Sequence, residues 1–290
     1  MIERRKTFYI RRTIFLLTAL VVAIPLLVKV ELPTVVSWPA RNLYDAVERV
    51  PPDKIVVISA NLSPGSKGES VPQATALIRH LAMRHKRFAI WGWAYPAGPE
   101  LAQGIAEPIA KEYGLKYGVD WVNWGYTTGE TGAGQVMRGW AKDIPGTVKE
   151  DFFHTPLSKL SFMQNVHSAR DIGLLIEITP ALTVPTYIRF IYGVYGTPIG
   201  YACTGVMVPE AFPYLDSHQL VGMLRGLVGA AEYEELIGYH GDATRRMSSQ
   251  SFAHLLIIAL IILGNVGYFM TRKNGRAAPA AVESASEGAP

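Results

Sequence analysis

Two long apolar runs, one near each end, constrain this 290-residue chain more than anything between them. The first, residues 14–28 (IFLLTALVVAIPLLV), lies inside the stretch 13–30. The second, residues 252–270 (FAHLLIIALIILGNVGYFM), has 19 residues and no formal charge. About 20 residues rising 1.5 Å each span the hydrocarbon of a bilayer, so both runs read as transmembrane helices. The first is slightly short: Lys29 would have to snorkel toward the headgroups, and Pro25 should kink it. These runs account for a mean hydropathy of +0.15.

Charge orients the two spans. The chain carries 28 basic and 24 acidic residues, net +4. Residues 45–248 hold 18 basic and 20 acidic side chains, net −2, so the surplus sits in the flanks. Arg4, Arg5, Lys6, Arg11 and Arg12 precede the first span, and Arg272, Lys273 and Arg276 follow the second. By the positive-inside rule both termini are expected in the cytoplasm and the central domain outside it, on the periplasmic or cell-surface side. Arg245 and Arg246, on the outer side of the second span, run against the rule. The pI near 9.0 is therefore a topology signal. A domain without basic surplus does not read as a nucleic-acid binder. The first run has the charged and apolar regions of a signal peptide, but no clear small-x-small cleavage site follows, so an uncleaved anchor is expected. Cys203 is the only cysteine, which rules out an internal disulfide.

This gives a basic N-terminus (1–12), a first span (13–30), a juxtamembrane connector (31–53), an extracytoplasmic domain (54–240), a second connector (241–251), a second span (252–270) and a tail (271–290). The tail is rich in Ala, Ser, Gly and Pro and is expected to be disordered. Within the domain, short apolar runs alternate with helical patterns. Strands are expected at 54–60, 87–93, 117–126, 171–179 and 198–206. Helices are expected at 69–85, 99–113, 132–142, 161–169, 184–192 and 217–236. On the first of these helices Val71, Ala74, Leu77, Ile78, Leu81 and Ala82 share one face. Strand–helix alternation predicts an α/β fold with a mainly parallel, doubly wound (Rossmann-like) sheet of about five strands, ordered 3-2-1-4-5.

In such sheets ligands bind beyond the carboxyl ends of the strands. That rule selects Asn61, Ser63, Tyr95, Tyr126, Thr128, Glu130, Thr131 and Thr204 as ligand-binding candidates. Glu177 joins them as an acid inside an apolar strand (LLIEITP), where it either faces the cleft or is paired structurally. Asp120 raises the same question in the third strand. The segment 126–134 (YTTGETGAG) leads from a strand into a helix, but it has neither the lysine of a P-loop nor the GxGxxG spacing of a dinucleotide site. It reads as a flexible glycine turn more readily than as an anion site. Cys203 ends a strand without a recognisable base, so it reads as a small core residue and not as a nucleophile. No histidine spacing fits a metal, and no cofactor is expected. The aromatics Trp91, Trp93, Tyr95, Trp121, Trp124 and Tyr126 come from two neighbouring strands. They read as packing under helices, with a stacking surface as the alternative. Gly222, Gly226 and Gly229 in 217–236 imply close approach of that segment to the sheet or to another subunit.

No motif fixes a reaction, and the sequence leaves open whether the chain is an enzyme. The reading it favours is a membrane-anchored, non-enzymatic binding module or accessory subunit of a membrane complex. Its expected partners are the lipid bilayer and a membrane protein or a second copy of itself. The alternative is a membrane-bound hydrolase or transferase working at the strand-end cleft.

Overall fold

The computed structural model describes residues 2–28, 30, 32–128 and 132–275. It divides into two compact units, residues 1–30 with 248–290, and residues 31–247. The chain opens with helix α1 (Ile2–Val28), which carries Pro25 within it. The larger unit then runs α2 (Trp38–Glu48), β1 (Ile55–Ala60), α3 (Lys67–Met83), β2 (Phe88–Gly92), α4 (Ala97–Glu112) and β3 (Trp121–Tyr126). There follow α5 (Ala133–Lys142), a short α6 (Ile144–Thr147), β4 (Ile172–Thr179), α7 (Val184–Tyr187), α8 (Gly193–Tyr195) and β5 (Ile199–Cys203). It ends with α9 (Val208–Asp216), β6 (Gly222–Arg225) and α10 (Gly226–Leu236), and α11 (Asp242–Gly275) leads on.

The strands form one sheet ordered β3-β2-β1-β4-β5-β6, with every neighbouring pair parallel. A parallel sheet needs both faces covered, and both are. Val56, Ile58, Ile90, Ile176, Ala202 and Leu224 pack under residues of α2, α3, α4 and α10. Val57, Trp91, Leu175, Tyr201 and Met223 pack under α5, α7, α9 and the turns between β3 and β4. The expected order of five strands is contained in the observed six.

The sixth strand is a correction. Residues 217–236 are not one helix: a four-residue strand precedes α10. The stretch 31–53 is likewise more than a connector, because α2 lies in it and buries Leu43 and Val47 completely. Pro39 sits in the first turn of α2, where its missing N–H removes no helical bond. Helix α2 lies on β5 and β6 through two glycines. A Cβ on Gly222 would stand 2.3 Å from the Leu43 backbone nitrogen, and one on Gly200 would stand 2.4 Å from Leu43 Cδ1. The third strand begins at Trp121, so Asp120 precedes it. Its carboxylate accepts the Lys116 N–H at 2.7 Å, a local turn contact. Residues 161–165 form a 3-10 turn where a longer helix was expected.

No loop separates the domain from its last helix along 241–251, because α11 is continuous from Asp242. Its first turn is capped by Glu234 of α10. The carboxylate accepts the N–H groups of Gly241 (3.0 Å), Ala243 (3.1 Å) and Thr244 (2.9 Å), together with the Thr244 hydroxyl at 2.7 Å. Phe8–Val28 and Asp242–Met270 mark helices long and apolar enough to cross a membrane, with mean hydropathies of 2.0 and 2.1. They are two candidate membrane-spanning helices, and the Ser249 hydroxyl of one donates to the Val22 carbonyl of the other at 2.8 Å. Residues 271–275 continue α11, whereas Lys29 and the tail 276–290 lie outside the described residues.

Candidate functional site

The chain leaves β1 toward β2 on one side and returns from β3 into β4 on the other, so the strand order reverses between β1 and β4. The carboxyl ends of two strands that diverge in this way leave a crevice. At that place the structure sets Asn61, directly after β1, against Glu177 of β4. Both are fully buried. In the parallel register Glu177 lies beside Ser59 on one side and Tyr201 on the other. The three therefore point to the same sheet face.

Asn61 uses its whole amide. Its Oδ1 accepts the backbone N–H groups of Trp93 (3.1 Å) and Ala94 (3.0 Å), which fixes the orientation of the group. Its Nδ2 donates to Glu177 Oε1 at 3.0 Å and to the Tyr187 hydroxyl at 3.1 Å. Tyr187 also accepts the Trp93 indole N–H at 2.5 Å. With both lone pairs engaged, its own O–H donates to Ser59 Oγ at 2.5 Å. Thr183, one helical turn before Tyr187, donates its hydroxyl to Glu177 Oε1. Burial pushes the Glu177 carboxyl up to about 8, against the opposing pull of its hydrogen bonds from Thr183 and Asn61. The acid is therefore neutral at pH 7. Its Oε2 is buried and has no hydrogen-bond partner.

Beside this sealed cluster lies an open pocket of ≈ 300 Å³, lined by Trp93, Ala94, Tyr126, Thr128, Gly132, Val136 and Thr183. Trp93 and Thr183 belong to both pocket and cluster. The described lining residues carry aromatic, aliphatic and hydroxyl groups and no formal charge. That composition suits a small neutral or weakly polar molecule stacked on a ring.

Of the candidates read from the sequence, Asn61 and Glu177 meet directly, and Tyr126 and Thr128 line the adjoining pocket. Ser63 is outside the cluster: its hydroxyl bonds Ser66 Oγ at 3.1 Å in the turn that starts α3. Tyr95 is half-buried and lines neither feature. Thr204 is buried at the end of β5, with its hydroxyl unpartnered, away from Glu177's hydrogen bonds. Glu130 and Thr131 lie outside the described residues. Cys203 is buried, with its thiol pushed up to about 12 by burial and its sulfur 4.0 Å from Met223 Sδ, so it is a core residue. Most of the aromatic group is packing. Trp91 stacks on Trp140 at 4.2 Å, Trp124 meets Trp140 edge-on, and Trp121 stacks on Phe88. The residues missed as site members are Ser59, Thr183 and Tyr187, while Trp93 was read only within the aromatic group. Thr183 and Tyr187 carry the i, i+4 spacing of one helix face, a signal that gains meaning only once Glu177 is known to point the same way.

No family model matches the chain, and no curated protein matches it. Among solved structures it is similar to the molybdenum cofactor binding protein from the phototrophic bacterium Rippkaea orientalis. The identity is 12%, the match covers 64% of this chain and 96% of that one, and the TM-score is 0.33.

Proposed function

We propose that the chain is a membrane-anchored binding module. On this reading its doubly wound, Rossmann-like domain stands outside the cytoplasm between two anchors and holds a small ligand or a partner's side chain in the Trp93–Tyr126 pocket. The carrying observation is the contrast between two neighbours. The polar groups at the β1/β4 crevice are hydrogen-bonded to one another and closed over, while the pocket beside them is open and carries no formal charge among the described residues. An enzyme of the hydrolase or transferase type needs titratable groups that converge where a substrate can reach them. Here the converging groups are Asn61, Glu177 and Tyr187, all buried, and they reach the pocket through Trp93, Ala94 and Thr183, which they hydrogen-bond and which line it. Two basic flanks and two apolar helices support anchoring at both ends with cytoplasmic termini.

One observation favours the enzyme reading: Glu177 is held neutral, as a general acid must be. Its complete burial speaks against contact with a substrate.

The test is retention. Wild type, Trp93→Ala and Tyr126→Ala are purified in mild detergent, and co-eluting small molecules and proteins are identified by mass spectrometry. A species kept by wild type and lost from both variants is the expected result. Turnover of generic chromogenic esters or glycosides that Glu177→Gln abolishes would overturn the binding reading in favour of the enzyme. Protease added to sealed spheroplasts should cut the domain and spare both termini; the reverse pattern would overturn the topology.

A further inference from the structure

A second pocket, of ≈ 320 Å³, opens between α5 and the helical run that follows β4, and it differs in chemistry from the first. Its lining is Arg138, Arg189, Phe190, Val194 and Tyr195, with no acidic side chain. Both guanidinium groups lie over one ring: the Arg138 and Arg189 Cζ atoms are 5.4 and 5.3 Å from the Phe190 centroid. A third, Arg170, lies 5.8 Å over the Tyr195 ring. Among the described residues neither Arg138 nor Arg189 makes an ion pair or a side-chain hydrogen bond, so two like charges share a ring without a counter-charge. Such a pair favours whatever anion enters between them.

The pocket is also built into the backbone. Arg189 and Phe190 stand on a π-helical turn, Ile188–Tyr192, inserted between α7 and α8. Widened turns of this kind are rare and concentrate at functional sites. Across from it, Gly134 of α5 leaves room for the ring, since a Cβ there would stand 3.1 Å from Phe190 Cζ.

We propose that Arg138 and Arg189 form a binding site for a phosphoryl group whose apolar body lies on Phe190 and Val194. Guanidinium forks match phosphate oxygens in geometry and charge, and the ring accepts the flat or aliphatic remainder. The phosphoryl group comes either from a soluble organic phosphate or from a phospholipid headgroup. The site is independent of the Trp93–Tyr126 pocket, with which it shares no lining residue.

Phenyl phosphate serves as the probe, titrated calorimetrically into the full-length protein in non-ionic detergent. Saturable binding is expected. Arg138→Gln and Arg189→Gln should each weaken it by about tenfold or more, lysine at either position should restore it only in part, and Lys142→Gln should leave it unchanged. Both arginines are exposed, so the variants should melt like wild type; should a glutamine variant fail to fold, the lysine variant at that position decides. The same titration in phosphatidylcholine nanodiscs, with and without phosphatidylglycerol, separates the two sources. A headgroup ligand makes phosphatidylglycerol compete with phenyl phosphate and remain on the wild type, but not on the variants, in native mass spectrometry. A soluble ligand leaves the affinity equal in both discs. Equal affinity in wild type and arginine variants would overturn the proposal. So would an absence of binding in every preparation with no retained phospholipid.

Discussion

The Asn61 side-chain amide donates to the Glu177 carboxyl at 3.0 Å, tying the end of β1 to β4 where the strand order reverses. The acid it holds is neutral at pH 7, which gives a stability consequence with a definite sign. Its folded-state pKa, about 8, lies above the ordinary carboxyl value of 4.5. Between those values the folded protein keeps a proton that the unfolded chain has lost. This contribution is full below the lower value and is lost as pH rises through the upper one, at about 1.4 kcal/mol per pH unit. Glu177→Gln keeps the shape and removes the titration. Urea unfolding across this range should show the variant gaining on wild type as pH rises; parallel curves would mean that the carboxyl is not held neutral.

Much of the fold was legible because apolar runs of five to eight residues alternated with longer helical patterns. Where reading failed, prolines and a helical spacing were the cause. Pro33, Pro39, Pro51 and Pro52 made 31–53 look irregular, yet Pro39 occupies the one turn of a helix that tolerates it. The helical spacing of Leu220, Leu224, Leu227, Val228 and Ala231 suggested a single helix over 217–236, with Gly222, Gly226 and Gly229 marking a close approach. The space they leave is real, but Gly222 opens it from a strand, toward Leu43. At the site, the strand-end rule found Asn61, and an acid inside an apolar strand marked Glu177. The rule missed Ser59 and Tyr187 because their roles follow from register and from the fold of the β4–β5 connection, which no local pattern encodes.

The glycines now make distinct predictions. Gly222→Ala drives a methyl into the backbone of Leu43 and should destabilise the domain by about 1–3 kcal/mol or more. At Gly226 the backbone has φ +54, and a Cβ would meet the Glu69 carboxylate that accepts the Gly205 N–H, with the Gly205 backbone nitrogen 3.1 Å away. Gly226→Ala should therefore cost about 1 kcal/mol from the left-handed backbone, plus the displacement of the Glu69 contact. Thermal melts should rank the two in that order; a Gly222→Ala protein as stable as wild type would mean that α2 does not lie this close to β6.

Buried His80 predicts a pH effect of the opposite sign to Glu177. Its Nε2 faces Glu48 Oε1 at 3.1 Å and its Nδ1 faces the Tyr233 hydroxyl at 2.7 Å, while the ring stacks on Tyr44 at 4.6 Å. A neutral ring satisfies both contacts, with Nε2–H donating and Nδ1 accepting. Burial lowers the pKa, although Glu48 opposes it. The unfolded chain therefore takes up a proton first, and this group's contribution is lost as pH falls through the ordinary histidine value. Urea midpoints at about pH 8 and about pH 5.5 should differ more in wild type than in His80→Gln. An equal difference would show that His80 titrates alike in both states.

The last prediction concerns Glu234, which joins α10 to the start of α11. One carboxylate serves three backbone N–H groups and a hydroxyl, all at the end of a helix where unpaired donors gather and negative charge is favoured. Glu234→Ala leaves these buried donors without an acceptor and should cost about 2–4 kcal/mol, less than the sum of separate losses because water will reach some of them. Glu234→Gln can keep the three bonds made at Oε2 but turns its NH₂ group toward the Ala243 N–H and loses the charge, so it should cost less than Glu234→Ala. Hydrogen exchange at 241–246 is the sharper measurement, because it reports the first turn of α11 directly. Both variants should exchange faster there while β1 and β4 keep their protection. Unchanged exchange in Glu234→Ala would mean that the helix start is held by its packing, with the carboxylate contributing nothing to it.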